Sequence, residues 1–216
     1  MTEHYFTSNP SAARAPRRVR LALRDVQADL TTDTGVFSPT QVDTGTLVLL
    51  ETVPPPPAAG HLLDLGCGYG PVTVALASRA PGATVWAIDV NERARELTRA
   101  NAEAAKCTNV QVEAPDGVPD EVIFAAIWSN PPIKVGKAVL HGMLGRWLPR
   151  LAPDGVAYLV VQRHLGADSL HRWLSDEGFP TERLASRKGY RILAVRTNET
   201  VRTTEIIRPN EPGASK

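Results

Sequence analysis

The sequence contains little cysteine: of its 216 residues only Cys67 and Cys107 are cysteines, and they show no CxxC spacing. This scarcity excludes a small secreted scaffold held by disulfides and predicts reduced thiols. The five histidines do not stand at metal-ligand spacing from one another or from the cysteines, so we predict no metal site. A signal peptide and an apolar run of membrane-spanning length are also lacking, and we therefore expect a cytoplasmic protein with no membrane partner.

An excess of either charge is lacking as well, because 24 lysines and arginines face 23 acids and the net charge is +1. A strong positive field over the whole chain is therefore excluded. The arginines are nevertheless clustered, since residues 1–24 hold five of them against one acid. A second cluster, with no acid between its ends, consists of Arg183, Arg187, Lys188, Arg191 and Arg196. Such clusters either dock on phosphates or are simply solvated, and the sequence leaves both open.

Hydrophobic patterning divides the chain into an N-terminal extension and a core. Apolar residues alternate over 19–23 and 26–30, which predicts a β-hairpin, and helical spacing over 42–51 predicts a helix. The four prolines at 54–57 form an extended connector. We therefore assign residues 1–57 to the extension, 58–198 to the core and the polar residues 199–216 to a disordered tail.

From residue 60 onward, strand-like and helix-like segments alternate. Strands are predicted near 61–65, 84–88, 110–113, 122–128, 155–161, 180–186 and 190–196, and helices near 71–80, 91–105, 136–151 and 166–177. This alternation predicts an α/β fold with a Rossmann-like, doubly wound and mostly parallel sheet. Only Arg187-Lys188-Gly189 separates the last two strands, which predicts an antiparallel hairpin at the sheet edge.

A glycine-rich turn follows the first core strand. The segment Leu62 to Pro71 ends an apolar run in Asp64, places glycines at 66, 68 and 70, and leads into a helix. The bare amides of such a helix start favour a negative group, whereas Asp64 favours a cationic one. A zwitterion derived from methionine carries both charges, while a pyrophosphate would be repelled by Asp64. A tight turn without a ligand is the alternative.

Acidic residues follow the second and third core strands. Asp89 stands at the end of a strand-like run, where a carboxylate can accept both hydroxyls of a ribose. Asp89 or Asn91 can also cap the helix that begins near Glu92, and both roles are compatible. Asp116 is a candidate acceptor for an adenine amino group, although Asp116-Gly117 is also an ordinary turn dipeptide.

The segment Asn130-Pro131-Pro132 ends the fourth core strand. The lone pair of an exocyclic ring amine is delocalised, so its methylation requires that the nitrogen be held with the lone pair aimed at the methyl group. An asparagine oxygen and a rigid backbone carbonyl can accept both amine hydrogens, and two prolines keep that carbonyl in place. Orientation then supplies most of the rate. A proline turn that only closes the strand is the alternative.

Four segments of the chain together resemble the class I methyltransferases that use S-adenosylmethionine. Within them they resemble the small-domain group that includes the bacterial 16S ribosomal RNA guanine-N2 methyltransferases, as a single-domain member. The segments are Thr34 to Ser38 with Asp43 and Gly45, Leu63 to Pro71, Asp89 to Asn91 with Arg93-Ala94 and Ala100 to Ala102, and Ser129 to Pro132. The resemblance implies seven strands with the last one antiparallel.

The resemblance also implies a set of site residues. The glycines 66, 68 and 70 would wrap the methionine part of the cofactor, Asp89 would bind the ribose, and Phe37 would help to close the site. The predicted cofactor residues are Phe37, Asp64, Gly66, Gly68, Tyr69, Gly70, Asp89, Val90, Asp116 and Asn130. The predicted catalytic residues are Asn130, Pro131, Pro132 and Ile133.

Two departures from this group concern the substrate. Many members place an aromatic residue after the two prolines to stack on a flipped base, whereas this chain has Ile133. An aliphatic side chain gives up part of a stacking free energy of about 1–3 kcal/mol, so Phe37 or Tyr5 would have to supply it. The larger ribosomal enzymes also carry an additional N-terminal domain, while only about sixty residues precede the core here.

The sequence thus predicts methyl transfer to an exocyclic amine of a nucleobase, with guanine in small-subunit ribosomal RNA as the expected substrate. Ribosomal RNA or a ribosomal subunit is the expected partner. Methylation of a protein glutamine amide or of a small molecule is one alternative, and a non-catalytic domain that binds the cofactor and docks on RNA or a partner is another. A nicotinamide dehydrogenase is the weakest alternative.

Overall fold

The computed structural model describes residues 12–198. Predictions for the segment around Tyr5 and for a disordered tail at 199–216 lie outside the described residues. Within the described range, no helix combines the length and the apolar character that crossing a bilayer requires.

The N-terminal extension contains the predicted hairpin and helix. Strand β1 (Arg17–Ala22) pairs antiparallel with β2 (Gln27–Thr32), and helix α1 (Thr44–Thr52) follows. Two polar contacts hold the hairpin against the core. Asn101 accepts a hydrogen bond from the Thr31 N–H at 2.7 Å and donates one to the Thr31 carbonyl at 2.8 Å, and Arg79 of the core pairs with Asp25 in the hairpin turn at 2.7 Å. The extension therefore packs against the core.

Seven strands form the central sheet. They are β3 (His61–Leu65), β4 (Thr84–Ile88), β5 (Val110–Glu113), β6 (Phe124–Ser129), β7 (Leu151–Gln162), β8 (Thr181–Arg187) and β9 (Tyr190–Val195). Their spatial order is β5-β4-β3-β6-β7-β9-β8, and β9 runs antiparallel to both of its neighbours while the other six are parallel. The predicted mostly parallel sheet with an antiparallel last strand is confirmed.

Four further helices cover the two faces of the sheet: α2 (Pro71–Arg79), α3 (Glu92–Ala104), α4 (Lys137–Trp147) and α5 (Ala167–Asp176). Alternate residues of a strand point to opposite faces, so Leu62 packs with the apolar cluster of α1, α2 and α3, and Leu63 packs with that of α4 and α5. This two-sided burial is the reason that β3 is a continuous apolar run rather than an alternating one.

One predicted helix is too long. Helical spacing predicts a helix over 136–151, but α4 ends at Trp147 and a 3-10 turn covers Leu148–Arg150. Pro149 has no N–H to continue the helical hydrogen bonds, which explains the early end. Strand β7 then begins at Leu151, ahead of the predicted strand at 155–161. Its pairing with β6 shifts register between Phe124 and Ala126.

The sheet order also determines where a ligand can bind. From β3 the chain crosses to β4 on one side, and β6 lies on the other side of β3. In open α/β sheets a crevice forms beyond the carboxyl ends of the strands where the winding direction reverses. The glycine turn after β3, Asp89 after β4 and Asn130 after β6 all lie at this edge.

Candidate active site

The glycine turn leaves open space beside its backbone. Gly66 has φ +80° and Gly68 has φ +58°, and a Cβ added at either would meet no heavy atom within 4 Å. Gly70 is the N-cap of α2 and supplies no side-chain hydrogen bond to the first turn, and Pro71 is its first residue. The first turn of α2 therefore has no side-chain cap, and its backbone N–H groups favour a negative group.

Asp64 lies beneath this turn and is 1% exposed. It accepts a hydrogen bond of 2.5 Å from the Thr73 hydroxyl. The pKa of Asp64 is raised to about 7, mainly by burial and also by the nearby charge of Asp89, and the Thr73 hydrogen bond acts in the opposite direction. Ionising a buried carboxylate that has no cationic partner costs free energy. A bound cation removes that cost, so such a carboxylate is a good partner for a cationic group.

Asp89 is held by backbone donors on both of its oxygens. Oδ2 accepts from the Gly68 N–H and Oδ1 from the Asn91 N–H, each at 2.9 Å. Burial nevertheless raises the pKa of Asp89 above its ordinary value. Each carboxylate oxygen keeps a second lone pair, so a fixed bidentate acceptor for two hydroxyls is available. The side chain of Asn91 caps α3 by accepting from the Ala94 N–H, so Asp89 is not needed as the cap of this helix.

Asn130 follows β6, and both hydrogens of its amide group are bound. Nδ2 donates to Asp43 Oδ2 at 2.9 Å and to Thr46 Oγ1 at 3.1 Å. An ionised carboxylate only accepts, so Asp43 determines which end of the amide faces it. The carbonyl oxygen of Asn130 therefore points away from Asp43, and Asn130 lines both clefts at this edge of the sheet.

The residues after Asn130 form a tight turn. The Pro131 carbonyl accepts a hydrogen bond from the Ile133 N–H at 2.9 Å, which keeps one lone pair for another donor. Ile133 opens a 3-10 turn (Ile133–Val135) and packs against the apolar cluster of α4 and α5. Within the described part of the chain, Pro131 and Pro132 line the larger cleft and Ile133 lines neither.

The two clefts share Phe37, Gly66, Gly68 and Asn130. The larger encloses about 720 Å³, including the part open to solvent, and the smaller about 380 Å³. Predicted residues that line the larger cleft are Phe37, Gly66, Gly68, Asp89, Val90, Asn130, Pro131 and Pro132. Predicted residues that line the smaller cleft are Phe37, Asp64, Gly66, Gly68, Tyr69 and Asn130.

Asp116 lies at the surface and forms an ion pair. Its side chain is 90% exposed and pairs with Arg146 at 2.8 Å, while its neighbour Pro115 lines the larger cleft. Asp116 itself lines neither cleft among the residues that the structure describes, and its role as the acceptor of an adenine amino group stays a prediction. Gly70 also lines neither cleft within residues 12–198, although it caps the helix that one cleft meets.

Several residues at the clefts are not among those predicted for the site, and they include two residues of α4 and two of the N-terminal extension. Met143 and Trp147 of α4 line the larger cleft, although the helical pattern indicates only that Trp147 is core. Asp43 and Thr46 line the smaller one. The sequence does offer one indication for Asp43, because it is an acid directly before a predicted helix. Such a residue caps the helix, and Asp43 faces the same edge of the sheet as the glycine turn.

The two arginine clusters are partly neutralised by distant acids. Arg14 pairs with Glu96 at 2.5 Å and Arg20 with Asp29 at 2.9 Å. In the second cluster Arg187 pairs with Glu51 at 3.3 Å, and Arg191 pairs with Asp168. Neither cluster is therefore a fully free basic patch. Among residues 12–198, no group of three or more histidine, cysteine, aspartate or glutamate side chains is arranged to hold a metal ion.

This sheet order, with a glycine turn after its first strand and Asn-Pro-Pro after its fourth, defines a class I methyltransferase, the class of enzyme that uses S-adenosylmethionine. Residues 27–194 match the methyltransferase small domain family, and the chain belongs to that family. The predicted class, cofactor and family resemblance are thereby confirmed.

Relatives with known names are similar over most of this chain. The uncharacterized protein YbxB of Bacillus subtilis is 37% identical, over 89% of this chain and 98% of its own length. Ribosomal RNA small subunit methyltransferase C of Pseudomonas aeruginosa is 33% identical over 88% of this chain, but the match spans only 57% of that relative. Among solved structures, T. thermophilus 16S rRNA N2 G1207 methyltransferase (RsmC) in complex with AdoMet and guanosine superposes with TM-score 0.71 and 26% identity, covering 88% of this chain and 52% of that one.

Proposed function

We propose that this protein methylates the exocyclic amine of a nucleobase, namely guanine in small-subunit ribosomal RNA. The orientation of Asn130 carries the proposal, because its bound amide hydrogens leave a carbonyl oxygen to accept from a substrate amine at the junction of the two clefts. The named similarity to methyltransferase C and RsmC supports the RNA class. A ribosomal substrate also agrees with the cytoplasmic location that the sequence predicts.

The residues present suit the cofactor of this class. Asp64 would hold the ammonium, the first turn of α2 the carboxylate, and Asp89 the ribose hydroxyls. The open space beside Gly66 and Gly68 would take the methionine chain. When bound there, S-adenosylmethionine supplies an electrophilic methyl group.

The target nitrogen would be oriented by two fixed acceptors. The Asn130 carbonyl oxygen and the remaining lone pair of the Pro131 carbonyl would each accept one amine hydrogen. An amine held in this way would direct its lone pair out of the ring plane. The new N–C bond would form as the S–C bond of the sulfonium breaks, with S-adenosylhomocysteine as the leaving group, and the nitrogen would then lose one proton to solvent. No strong base is needed, because positioning supplies most of the rate. Phe37, which is 37% exposed and lines both clefts, is the described aromatic side chain that could pack on the base in place of an aromatic at position 133.

Positive side chains stand around the substrate side of the site. Lys134 and Lys137 follow the Asn-Pro-Pro segment, Arg163 follows β7, and Lys188 lies in the turn before β9. The backbone N–H of Arg163 donates to the Gly189 carbonyl at 2.8 Å. Because Lys188 directly precedes Gly189, Arg163 and Lys188 lie on one rim. All four are exposed, and in the described range none forms an ion pair with an acid. Phosphates of an RNA strand could therefore dock along this basic rim.

Transfer of labelled methyl from S-adenosylmethionine tests the proposal. Substrates are small and large ribosomal subunits, naked ribosomal RNA, transfer RNA and a protein lysate. Label in small-subunit RNA that digests to N2-methylguanosine supports the proposal. Label only in protein would instead support the glutamine alternative. A chain that binds the cofactor but labels none of these substrates would contradict the proposal and favour the binding-domain alternative.

Removing two charges from the basic rim should weaken RNA binding without affecting the cofactor. For Lys134→Gln with Lys137→Gln, we expect the slope of log affinity against log salt to fall by about two, since each phosphate contact contributes about one. Filter binding at several salt concentrations measures it. The matched control is Arg24→Gln with Lys106→Gln, because Arg24 lies in the turn before β2 and Lys106 lies before β5, so neither follows a strand at the edge that carries Asn130. Equal slopes for the rim variant and the wild-type protein would show that RNA does not use this rim.

Cofactor affinity should depend on pH through Asp64. Its pKa is raised to about 7, so the carboxyl is ionised above pH 7 and protonated below it. We expect affinity for S-adenosylhomocysteine, which keeps the ammonium, to fall about tenfold between pH 8 and pH 6. Isothermal titration calorimetry measures this, and Asp64→Asn should bind weakly with little dependence on pH. An unchanged pH dependence in Asp64→Asn would exclude Asp64 as its source.

A further inference from the structure

Asp43 joins two parts of the molecule through one oxygen atom. Its Oδ2 accepts from the Thr46 N–H at 3.1 Å, which caps α1, and from Asn130 Nδ2 at 2.9 Å. Asp43 lies in the N-terminal extension, whereas Asn130 ends the fourth core strand. The cap of one helix is therefore also the partner of the residue that faces the substrate.

The first turn of α1 is held tightly around this carboxylate. A Cβ added to Gly45 would lie 2.7 Å from Tyr190 Cε1 and 2.8 Å from Asp43 Oδ2. Only glycine therefore lets α1 lie between the carboxylate and the ring of Tyr190, at the start of β9. Thr46, which is 4% exposed, supplies the second acceptor for Asn130. Asp43 is fixed on one side by its helix and on the other by the sheet.

We propose that Asp43 is a positioning residue that sets the orientation of the Asn130 amide for catalysis. The inference rests on the proposed function, in which the Asn130 oxygen accepts a hydrogen from the target amine. Without an acceptor at Asp43 the amide can rotate by half a turn and present its NH₂ group to the substrate. Two donors would then face each other, and the amine would lose one of the contacts that aim its lone pair.

Three substitutions separate this role from capping. Asp43→Asn can place its own oxygen where Oδ2 lies and keep both hydrogen bonds. Asp43→Ser still caps α1, because serine is a good N-cap, but it is too short to reach Asn130. Asn130→Ala removes the group that Asp43 positions. A loss confined to Asp43→Ser therefore reports the contact with Asn130 and not the helix cap.

Steady-state kinetics with the RNA substrate test the inference. We expect kcat to fall about 100-fold in Asp43→Ser, with Asp43→Asn close to the wild type, because misplacement by about 1 Å has effects of this size. The KM for S-adenosylmethionine should change less than kcat. In the Asn130→Ala background the serine substitution should cause no further loss, since the two residues act as a unit. A wild-type kcat in Asp43→Ser, or an equal loss in both backgrounds, would overturn the inference.

A nuclear magnetic resonance measurement separates this inference from the proposed function. The side-chain Nδ2H₂ signals of Asn130 are assigned by their loss in Asn130→Ala. We expect them to shift and to exchange faster with water in Asp43→Ser, and to stay in place in Asp43→Asn. A wild-type protein that fails to methylate RNA refutes the proposed function alone. Signals of Asn130 that are unchanged in Asp43→Ser refute the positioning role, whatever the substrate.

Discussion

Replacing Asn130 by alanine is expected to lower kcat for methyl transfer by about 10³-fold, the combined effect of losing an oriented acceptor and the alignment that it gives. The side chain does not contribute to the fold through its oxygen, and its Nδ2 donates only to Asp43 and Thr46 among the described contacts. Its removal leaves Gly66, Asp64 and Asp89 in place. The affinity of Asn130→Ala for the cofactor should therefore remain within about threefold of the wild-type value. The loss of kcat would then reflect weaker stabilisation of the transition state.

A second asparagine provides the matched control. Asn109 is also part-buried, and its Nδ2 donates to the Ala80 and Ala83 carbonyls at 3.0 and 2.9 Å, at the opposite edge of the sheet. Asn109→Ala should lower the melting temperature, because it removes both of these hydrogen bonds, but it should keep kcat. Label transfer and thermal melting on the same samples compare the two. If Asn130→Ala keeps most of its kcat, the amine is not held by this residue.

The fold was predictable because its signals are local. The glycine turn, the capping acids and the alternation of apolar runs each lie within ten or so residues, and they correctly predicted every strand of the sheet and the N-terminal hairpin. The end of α4 was missed because the apolar spacing continues through Leu148 and Leu151, while Pro149 prevents the helix from continuing. The rule that a proline ends a helix would have predicted this end, but the apolar periodicity was given more weight in the prediction.

The site was predictable only in part, because some of its contacts join distant segments. The motif residues could be placed on one sheet edge from the topology rule alone. The bond from Asn130 to Asp43 could not, since the position of α1 depends on how the extension packs. The pairing of Arg187 with Glu51 and of Asp116 with Arg146 likewise depends on tertiary structure. For this reason the second arginine cluster, which contains no acid in the sequence, still has an acid beside it in the folded protein.

Replacing Asp89 by alanine should weaken binding of S-adenosylhomocysteine by about 10²–10⁴-fold. Two hydrogen bonds from ribose hydroxyls to a carboxylate contribute about 1.5–3 kcal/mol each. The substitution also frees the Gly68 and Asn91 N–H groups, which now hold Asp89 at 2.9 Å. Calorimetric titration measures the loss. Asp29→Ala is the matched control, because its carboxylate is 55% exposed in a pair with Arg20, and surface pairs contribute little.

A ribose analogue distinguishes lost hydroxyl contacts from a disturbed turn. The wild-type protein should bind 5′-methylthioadenosine more tightly than its 2′-deoxy analogue, whereas Asp89→Ala should bind the two equally. Asp89→Asn is expected to behave like the alanine variant, because both oxygens of Asp89 accept a backbone N–H and an amide must turn its NH₂ group against one of them. Discrimination between the two nucleosides that persists in Asp89→Ala would show that the ribose binds elsewhere, since a loosened turn alone weakens both ligands alike.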